Sequence, residues 1–593
     1  MKIDFLDGEK LYHGFSSGKN TVLKNKAYLN KINVFPVADG DTGTNLVLTM
    51  HSVVEGCKAE PSFSKVSSRM ADAALLGSRG NSGIIFAQFI QGLNDGAKDK
   101  NELNQKDFSS AINRGVEFAY KSVTNPVEGT ILTVMKSWAD AIHKLHEKTH
   151  DFVELINHSI ETAKASLKET TKKLKVLEEA GVVDAGAQGF VHFIEGFSSF
   201  LKTGKKMEEM ETIQIDLEES NSHKFDNYKK LQFRFCTEGM VKTDKLSSDQ
   251  LRKFLSDFGD SLIVAGSKTA VKFHVHTNTP SEIFYRLMDY GTIVQSKVDD
   301  MQRQNEIQFN RNSSIALVVD SACDLPAELL DKYQIHLVPI NFLYGESNLL
   351  DKTTITPHQF YSLLKSHKLS AKTSQPSVKA FENLYSLLFE HYESIISIHL
   401  SQNLSGTWNS AKLAAKKFPD KKIAVVDTKN ISTSFGLIVQ HVAEEIENKK
   451  SFDEVVAMAE KISSKAKILV SVKTLKYMVR SGRVSPLKGM FANILNLKPV
   501  VSLDENGASI LSGKSFGANA NTKKITEMVI EKIKSHPLTR YAIGHANNAD
   551  EAKAIEEKIR AATGESAKFL LDIAPVIGLH AGIGALSISY LEG

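Results

Sequence analysis

The sequence has few cysteines, no long apolar run and no block of like charges. Its three cysteines, Cys57, Cys236 and Cys323, are an odd number at unrelated spacings, which argues against a disulfide framework and favours the cytoplasm. No stretch approaches the roughly 18 consecutive apolar residues of a membrane span, and the start, MKIDFLDGEKLYHG, lacks the apolar core of a secretory signal. A formal charge of +4 over 593 residues excludes a strongly electrostatic nucleic-acid binder.

The 593 residues divide into regions with different apolar periods, and their number predicts roughly four domains at about 150 residues each. Residues 1–202 repeat apolar side chains every three or four positions, notably over 130–146 and 152–173, and this predicts an all-α domain. Residues 203–227 are polar and acid-rich and predict a linker.

The remaining regions mix strands and helices. Residues 228–308 predict the order strand, helix, two strands, helix, strand, which is the ferredoxin-like α+β arrangement. Residues 314–593 alternate short apolar strands, such as IALVVD, KIAVVD and RYAIGH, with helical segments. This alternation predicts an α/β domain on a largely parallel sheet, so the whole chain is expected to be multidomain.

A first candidate site lies in NVFPVADGDTGTN, residues 33–45. Asp39 and Asp41 flank Gly40, so the backbone can curl and both carboxylates can converge. Carboxylate oxygens with room for water and phosphate suit Mg²⁺. A turn with solvated Asp and Gly residues is the alternative on composition alone.

The loop GSRGNSG, residues 77–83, favours the metal interpretation. It opens the apolar segment IIFAQFI, and backbone N–H groups at a glycine-rich helix start bind anions. A metal loop and an anion loop in one helical domain predict a nucleotide site.

Four segments carry a family resemblance: NVFPVADGDTGTN, GSRGNSG, NPVEGTILTV (125–134) and EAGVVDAGAQG (179–189). In this order they resemble the signatures of the dihydroxyacetone-kinase nucleotide-binding domain. They are most similar to the version in the ATP-binding subunit of bacterial fatty acid kinase. The resemblance implies an eight-helix barrel that holds Mg-ATP at one end.

The resemblance also implies roles for particular residues. Asp39 and Asp41 would bind Mg²⁺, and Asn33 is the nearest candidate for a third ligand, because the polyol kinases carry an aspartate there and this chain does not. The residues expected to bind the nucleotide are Thr44, Asn45, Asn81, Ser82, Thr130 and Asp184.

A second candidate site combines Cys236 with His274 and His276. The two histidines are two apart on a predicted strand and share a face. In the predicted sheet the first and third strands are neighbours, which brings Cys236 to the same face. One Cys and two His suit tetrahedral Zn²⁺ with one open position; hydrogen-bonded histidines beside a buried thiol are the alternative. FCTEGMV and VKFHVHTN resemble the middle domain of the same kinase subunit, which implies a Zn²⁺ trio with a structural role.

The last half presents hydroxyl-rich segments after predicted strands, where open α/β sheets bind ligands. The segments are VVDSACDLP, KTSQPS, SQNLSGTWNSA, LKYMVRSGRVSPLKG and, near the end, VIGLHAGIGAL. Taken singly, each has a plain structural interpretation as a helix cap, a surface charge or a packed histidine.

Together these segments resemble the DegV family of lipid-binding proteins over about 280 residues, 314–593. The resemblance implies a two-lobed α/β fold around an acyl chain. Thr373 and Ser405 would bond the fatty acid carboxylate, with Arg483 and His580 nearby.

These expectations combine into a single-chain fatty acid kinase that converts ATP and a long-chain fatty acid into ADP and acyl phosphate. We expect a homodimer whose product is passed to an acceptor enzyme at the membrane, with no nucleic-acid partner. Two alternatives stay open: a kinase for a small hydroxyl substrate such as dihydroxyacetone, and a lipid carrier or regulator without catalysis.

Overall fold

The computed structural model describes residues 2–35, 40–206, 231–267, 269–366, 370–474, 477–478, 497–517, 519–536 and 539–592. Asp39, Arg483 and most of the predicted linker lie outside these residues. The chain forms two compact units, the first from residues 1–229 and 236–278, the second from 230–235 and 279–593. The predicted middle segment, 228–308, therefore contributes to both units.

The amino-terminal part of the first unit is helical, as predicted. Its helices are α1 (Gly8–Lys24), α2 (Lys26–Lys31), α3 (Thr42–Glu55), α4 (Phe63–Gly77), α5 (Gly80–Gly96), α6 (Gln105–Ser122), α7 (Ile131–Leu145), α8 (Phe152–Lys173), α9 (Lys175–Ala180) and α10 (Ala185–Thr203). Two short strands, β1 (Leu6–Asp7) and β2 (Glu102–Leu103), pair antiparallel. Whether the helices close into an eight-helix barrel stays a prediction.

An aromatic cluster lies at the centre of these helices. Phe15 of α1, Phe86 of α5 and Phe193 of α10 are buried, and the Phe193 ring centroid lies 4.9 Å from that of Phe15 and 5.0 Å from that of Phe86. Burying each such side chain contributes about 1.5–3 kcal/mol. The cluster therefore holds the first, fifth and tenth helices together, although they are far apart in the chain.

A small sheet completes the first unit. It contains β3 (Phe235–Lys242), the helix α11 (Ser248–Leu255), β4 (Gly259–Gly266) and β5 (Ala270–Thr277), with strand order β4-β5-β3. The Thr124 backbone N–H donates to the Leu262 carbonyl at 3.2 Å, and Val123 bridges to Ile263. This pairing joins the sheet to the segment that follows α6.

The second unit contains the remaining elements. Its helices are α12 (Pro280–Leu287), α13 (Met301–Phe309), α14 (Ala327–Lys332), α15 (Pro357–Ser366), α16 (Val378–Phe389), α17 (Thr407–Ala415), α18 (Ser432–Glu447), α19 (Phe452–Lys465), α20 (Ala520–Ser535), α21 (Ala549–Thr563) and α22 (Pro575–Ala581). Its strands are β6 (Thr292–Asp300), β7 (Ile315–Asp320), β8 (His336–Val338), β9 (Asn341–Tyr344), β10 (Ser347–Leu350), β11 (Ala371–Ser374), β12 (Ser394–His399), β13 (Lys422–Asp427), β14 (Ala466–Ser471), β15 (Leu497–Leu503), β16 (Ser509–Phe516), β17 (Arg540–His545), β18 (Leu570–Asp572) and β19 (Leu586–Leu591).

The predicted strand-and-helix order of the middle segment matches the elements β3, α11, β4, β5, α12 and β6. Its ferredoxin-like packing stays a prediction. Among the described helices, none is long and apolar enough to cross a lipid bilayer.

The second unit has two main sheets, and the largely parallel sheet predicted from the sequence is only half correct. The sheet β13-β12-β7-β8 is parallel throughout, whereas in β16-β15-β14-β19-β17-β18 only β17 and β18 are parallel. A short turn at residues 504–508 joins β15 to β16, and so short a connection permits only antiparallel pairing. A third, smaller sheet, β10-β9-β11, is antiparallel.

Candidate functional site

The first unit contains a cavity of about 460 Å³ that gathers four of the residues predicted to bind a nucleotide. These residues are Asn81, Ser82, Thr130 and Asp184. They come from the starts of α5, α7 and α10, so three helix N-termini open towards one space. Helix N-termini carry partial positive charge and unpaired N–H groups, and this arrangement favours an anionic ligand.

Asn81 and Ser82 lie in the first turn of α5, which has 17 residues. The side-chain oxygen of Asn81 is buried and has no hydrogen-bond partner among the described atoms. A buried polar atom without a partner costs about 1–3 kcal/mol. This orphaned oxygen, on the wall of the cavity, indicates that a polar ligand or water completes the site.

Asp184 is the N-cap of α10, where its carboxylate accepts the Ala187 N–H at 2.7 Å. Burial raises the pKa of Asp184 to about 6, although the hydrogen bonds from Ala187 and Ile131 oppose this shift. An added Cβ at Gly186 would meet Ser82 Oγ at 2.6 Å and Asp184 Oδ1 at 3.3 Å. Gly186 therefore permits Ser82 and Asp184 to approach each other at the cavity wall.

The residues around the Asp-Gly-Asp loop are tied together by hydrogen bonds. The Thr42 hydroxyl donates to Asn33 Oδ1 at 2.7 Å, and the Thr44 N–H donates to Asn30 Oδ1 at 3.0 Å. Asp41 precedes α3, but its carboxylate does not cap that helix. The described cavity lining includes Phe35 but not Asn33, Asp41 or Thr44.

One wall of the nucleotide cavity was not predicted from the sequence. It consists of Ser256 and the start of β4, from Gly259 to Ile263. Ser261 has a φ of 53°, which is uncommon for a residue with a side chain, and the β4–β5 register shifts between Asp260 and Ile263. Bulges of this kind leave no period that a sequence could show.

Cys236, His274 and His276 come together as predicted from strand parity. Their candidate ligand atoms all lie within 4.8 Å of one another, and Cys236 Sγ is 3.8 Å from His274 Nδ1. Burial lowers the pKa of His276 to about 3, and the neighbouring His274 adds to this effect. Since Zn²⁺ binds thiolate and neutral imidazole, the donor set and its spacing fit this metal.

Two charged residues beside this cluster were not predicted. Glu238 lies on β3, and its Oε1 lies 3.4 Å from His274 Nδ1 and accepts the Gly80 N–H at 3.0 Å. Lys272 of β5 donates to the Ser78 carbonyl. Both side chains are buried, with 3% and 1% exposure respectively. Their positions two residues from Cys236 and from His274 put them on the same strand faces, and this period was visible in the sequence.

The second unit contains a larger cavity of about 680 Å³. Most of its wall is aliphatic, and His580 is its one ionisable lining residue in the described part of the chain. Three of the four residues predicted to bind a carboxylate line it: Thr373, Ser405 and His580. The fourth, Arg483, lies outside the described residues.

Loops at the strand ends place these polar groups. Thr373 lies on β11 opposite Phe342 of β9, and Ser405 precedes α17. The hydroxyls of Ser405 and Thr407 are 2.9 Å apart, so they form a hydrogen-bonded pair at the start of that helix. Hydroxyl groups of this kind can donate to a carboxylate that enters an apolar cavity.

Asp320, His399 and Ser397 form a buried chain in the second unit that resembles a catalytic triad. His399 Nδ1 is 3.0 Å from Asp320 Oδ2, and its Nε2 is 2.8 Å from Ser397 Oγ. All three side chains have 0% exposure, and Ser397 Oγ also accepts from the Tyr385 hydroxyl. With no access for a substrate, the chain is a structural network that fixes the end of β12.

Three family models match successive parts of this chain. They are the DAK2 domain at residues 36–199, the FakA-like middle domain of fatty acid kinase at 232–308, and the uncharacterised DegV family at 314–593. The chain thus carries a DAK2 domain, a fatty-acid-kinase-like middle domain and a DegV domain in one polypeptide. This combination matches a fusion of the ATP-binding part of fatty acid kinase with a DegV-family protein.

Curated relatives match the chain in part. An uncharacterized protein of Staphylococcus haemolyticus is 37% identical over 313 residues, which is 51% of this chain and 56% of that protein. Protein YloV of Bacillus subtilis is 36% identical over 329 residues, which is 53% of this chain and 59% of YloV. The chain therefore spans little more than half the length of either relative.

Two solved structures are similar to 47% of the chain. One is a fatty-acid-binding DegV family protein from Thermus thermophilus, with 28% identity, 99% of that chain covered and a TM-score of 0.44. The other is DegV, a fatty acid binding protein from Bacillus subtilis, with 28% identity, 100% of that chain covered and a TM-score of 0.45.

Proposed function

We propose that this protein is a fatty acid kinase that transfers the γ-phosphate of ATP to the carboxylate of a bound long-chain fatty acid. The observation that carries the proposal is that each unit has a cavity lined by the residues expected for one substrate. Asn81, Ser82 and Asp184 line one, and Thr373 and Ser405 line the other. The match of a DAK2 domain, a fatty-acid-kinase-like middle domain and a DegV domain to one chain supports the same function.

The reaction is a single displacement at phosphorus. A carboxylate oxygen forms a bond to the γ-phosphorus, the bond from that phosphorus to the β,γ-bridging oxygen breaks, and ADP leaves with that oxygen. A carboxylate with an ordinary pKa of about 4.3 is already ionised at neutral pH, so the nucleophile needs no general base. Binding, orientation and charge stabilisation therefore carry the catalysis.

The first unit would hold Mg-ATP. The side chains proposed to hold Mg²⁺ are Asp39, Asp41 and Asn33, and the bound ion would neutralise charge on the phosphates. The donor set fits this ion because it offers only hard oxygens, and the Asp41 carboxylate is not used to cap α3. Thr44 and Asn45 would support the metal loop, and the Asn45 amide faces Gly80 at the start of α5.

Phosphate groups would lie against α5. Its first turn offers backbone N–H groups together with the side chains of Asn81 and Ser82. Because the buried Asn81 oxygen lacks a partner, a hydrated or metal-bound ligand beside it would remove a desolvation cost. Thr130 and Asp184 would line the rest of the nucleotide cavity.

The second unit would hold the fatty acid, with its acyl chain against the aliphatic walls of the cavity. Moving a carboxylate from water into such a cavity costs several kcal/mol unless it is paired and hydrogen-bonded. Thr373 and Ser405 would donate hydroxyl hydrogen bonds, and His580 and Arg483 would supply positive charge. Without these groups the carboxylate would stay in water.

The direct test is product analysis with the full-length chain, Mg-ATP and oleate. We expect ADP release that depends on oleate, with an equal amount of acyl phosphate trapped as hydroxamate by hydroxylamine. Absence of oleate-dependent ADP would overturn the proposal. Turnover of dihydroxyacetone without lipid would instead favour a small-hydroxyl kinase, and tight oleate binding without ATP binding would favour a lipid carrier.

Three further expectations accompany this proposal. Acyl phosphate is a reactive acyl donor, so an acceptor enzyme at the membrane would consume it. We propose that the protein works in the cytoplasm, since the nucleotide substrate is there. We also propose a homodimer, which sedimentation analysis of the full-length chain would test.

A further inference from the structure

Glu238 contacts two features that are expected to act separately, the Cys236/His274/His276 cluster and the turn that begins α5. Its Oε1 lies 3.4 Å from His274 Nδ1 and 3.0 Å from the backbone nitrogen of Gly80. The residue is 3% exposed, so water does not screen these contacts. One carboxylate oxygen thus joins a candidate metal ligand to the candidate phosphate-binding turn.

Lys272 makes a second connection to the same turn. It lies two residues before His274 on β5, and its ammonium donates to the carbonyl of Ser78. Ser78 has 0% exposure and ends α4, whereas Gly80 begins α5. Side chains from two neighbouring strands therefore hold both ends of the segment 78–80.

The contact between Glu238 and His274 has the chemistry of a metal-ligand support. A histidine that binds a metal commonly donates its other ring N–H to a carboxylate, which fixes the tautomer and the ring orientation. With the Nδ1 hydrogen directed to Glu238, His274 would present Nε2 to the metal beside Cys236 and His276. Metal binding at Nε2 makes the Nδ1–H a stronger donor and so holds the carboxylate in place.

The position of the carboxylate matters to the nucleotide. When Glu238 is held by His274 and accepts the Gly80 N–H, the backbone of the α5 start is fixed, and the following N–H groups keep one direction. When the metal is absent, His274 is free to turn, and the released carboxylate is a negative charge beside an anion site. Both effects favour tighter nucleotide binding in the metal-loaded protein.

We propose that Glu238 is a positioning residue that couples metal binding at Cys236, His274 and His276 to nucleotide binding at the start of α5. The coupling rests on the proposed nucleotide site. By thermodynamic linkage, zinc raises the affinity for Mg-ADP and Mg-ADP raises the affinity for zinc by the same factor. We expect that factor to be about five to ten, within the range typical of coupled sites.

The test is calorimetric titration of the full-length protein with Mg-ADP, which binds without turnover. Zinc-loaded wild type is compared with wild type stripped by a zinc-selective chelator that leaves Mg²⁺ in solution. We expect a five- to tenfold weaker Kd after stripping. Glu238→Gln, measured at saturating zinc and after stripping, should show the same Kd in both states within twofold.

Glu195→Gln is the matched control, because Glu195 also pairs with a histidine, His192 at 3.2 Å, but outside the cluster. It should keep the wild-type response to zinc. His274→Ala should bind Mg-ADP like stripped wild type, and adding Glu238→Gln to it should cause no further loss. This second comparison keeps the test valid if one single variant folds poorly.

Each remaining outcome decides the proposal. Equal Mg-ADP affinity of zinc-loaded and stripped wild type, or an unchanged response in Glu238→Gln, overturns the coupling and leaves the kinase proposal intact. A wild-type chain that binds Mg-ADP but no zinc does the same. A zinc-loaded chain that binds no Mg-ADP overturns both the coupling and the kinase proposal.

Discussion

The α-carbon of Gly80 faces the side-chain amide of Asn45, so closely that an added Cβ would lie 2.4 Å from Asn45 Nδ2. Gly80 also has a φ of +60°, in the left-handed region that glycine adopts without penalty. Both observations explain why a glycine begins α5. The residue lets the phosphate-binding turn approach α3, the helix that follows the Asp-Gly-Asp loop.

Gly80→Ala should therefore weaken nucleotide binding as well as stability. The left-handed backbone costs a residue with a Cβ about 1–2 kcal/mol, and the clash with Asn45 would displace the turn. Gly181→Ala is the control, since Gly181 has a φ of +65° and nothing within 4 Å of an added Cβ. We expect similar thermal destabilisation for both, but about tenfold weaker Mg-ADP binding only for Gly80→Ala. Equal ADP affinity in the two variants would contradict this.

Much of the fold could be predicted from apolar periodicity. The segment 152–173 was predicted as a helix and is α8, and the strand AVKFHVHT is β5. Such segments have a single clear period and few competing signals, so local pattern and tertiary structure agree. The same holds for β7, β13 and β17, whose bounds coincide with the apolar runs in the sequence.

Strand direction could not be predicted in the same way. Whether β19 runs parallel or antiparallel to β14 depends on how the chain returns to the sheet. A period of two gives the buried face but not the direction. For this reason the mixed sheet of the second unit was mistaken for a parallel one, although most of its strands were located.

The candidate sites show the same division. Strand parity brought Cys236, His274 and His276 together correctly, because alternation places side chains on known faces. The role of Asp184 as a helix cap and the wall formed by Asp260 and Ser261 depend on tertiary contacts with residues far apart in the sequence. These contacts have no local pattern, so only the structure could provide them.

Asp184 should make the stability of the first unit depend on pH. Its pKa is 3.8 in the ordinary case and about 6 when folded, because burial disfavours the charged carboxylate. The folded state therefore gains stability as pH falls from about 6 towards 4, and loses it as pH rises through 6. The full effect is at most about 3 kcal/mol.

Asp184→Asn should remove this dependence while keeping the cap, since Asn caps helices as well as Asp. The measurement is the thermal midpoint of the nucleotide-free protein between pH 4.5 and 8. We expect wild type to gain on the variant as the pH falls below about 6. Parallel curves for the two proteins across this range would show that Asp184 does not titrate as described.

Thr373→Val and Ser405→Ala should weaken oleate binding. Each removes one hydroxyl from the wall of the second cavity, and a hydrogen bond to a charged group contributes about 1.5–3 kcal/mol. We expect at least tenfold weaker binding by calorimetry, with Mg-ADP binding unchanged. Ser464→Ala is the control, because its hydroxyl is exposed and donates only to the Lys461 carbonyl. Oleate affinity equal to that of the control would exclude a role for these hydroxyls.

Cys236→Ala should lower the zinc content of the purified protein. One zinc per chain is expected in wild type, since three ligand atoms lie within 4.8 Å of one another. Removing a thiolate leaves two ligands, too few for a closed structural site. Cys57→Ala is the control, because Cys57 is a free cysteine buried in the helical core. Atomic emission analysis that finds no zinc in wild type would remove the metal from the proposal.

Asp41→Ala should separate the two half-reactions of the proposed kinase. Because the carboxylate does not cap α3, its loss should leave that helix intact, but one proposed Mg²⁺ ligand is gone and charge on the phosphates is less well neutralised. We expect oleate-dependent ADP release to fall by about a thousandfold, which corresponds to about 4 kcal/mol in the barrier. Oleate binding should persist.

The complementary variants, Ser405→Ala and Arg483→Ala, should lose oleate affinity but still bind Mg-ADP. Asp95→Ala controls for loss of a carboxylate in the first unit, since Asp95 is an exposed partner of Arg114. It should retain both activities. If Asp41→Ala released ADP at the wild-type rate, the Asp-Gly-Asp loop would not be the metal site, and the phosphate would have to be activated by other residues.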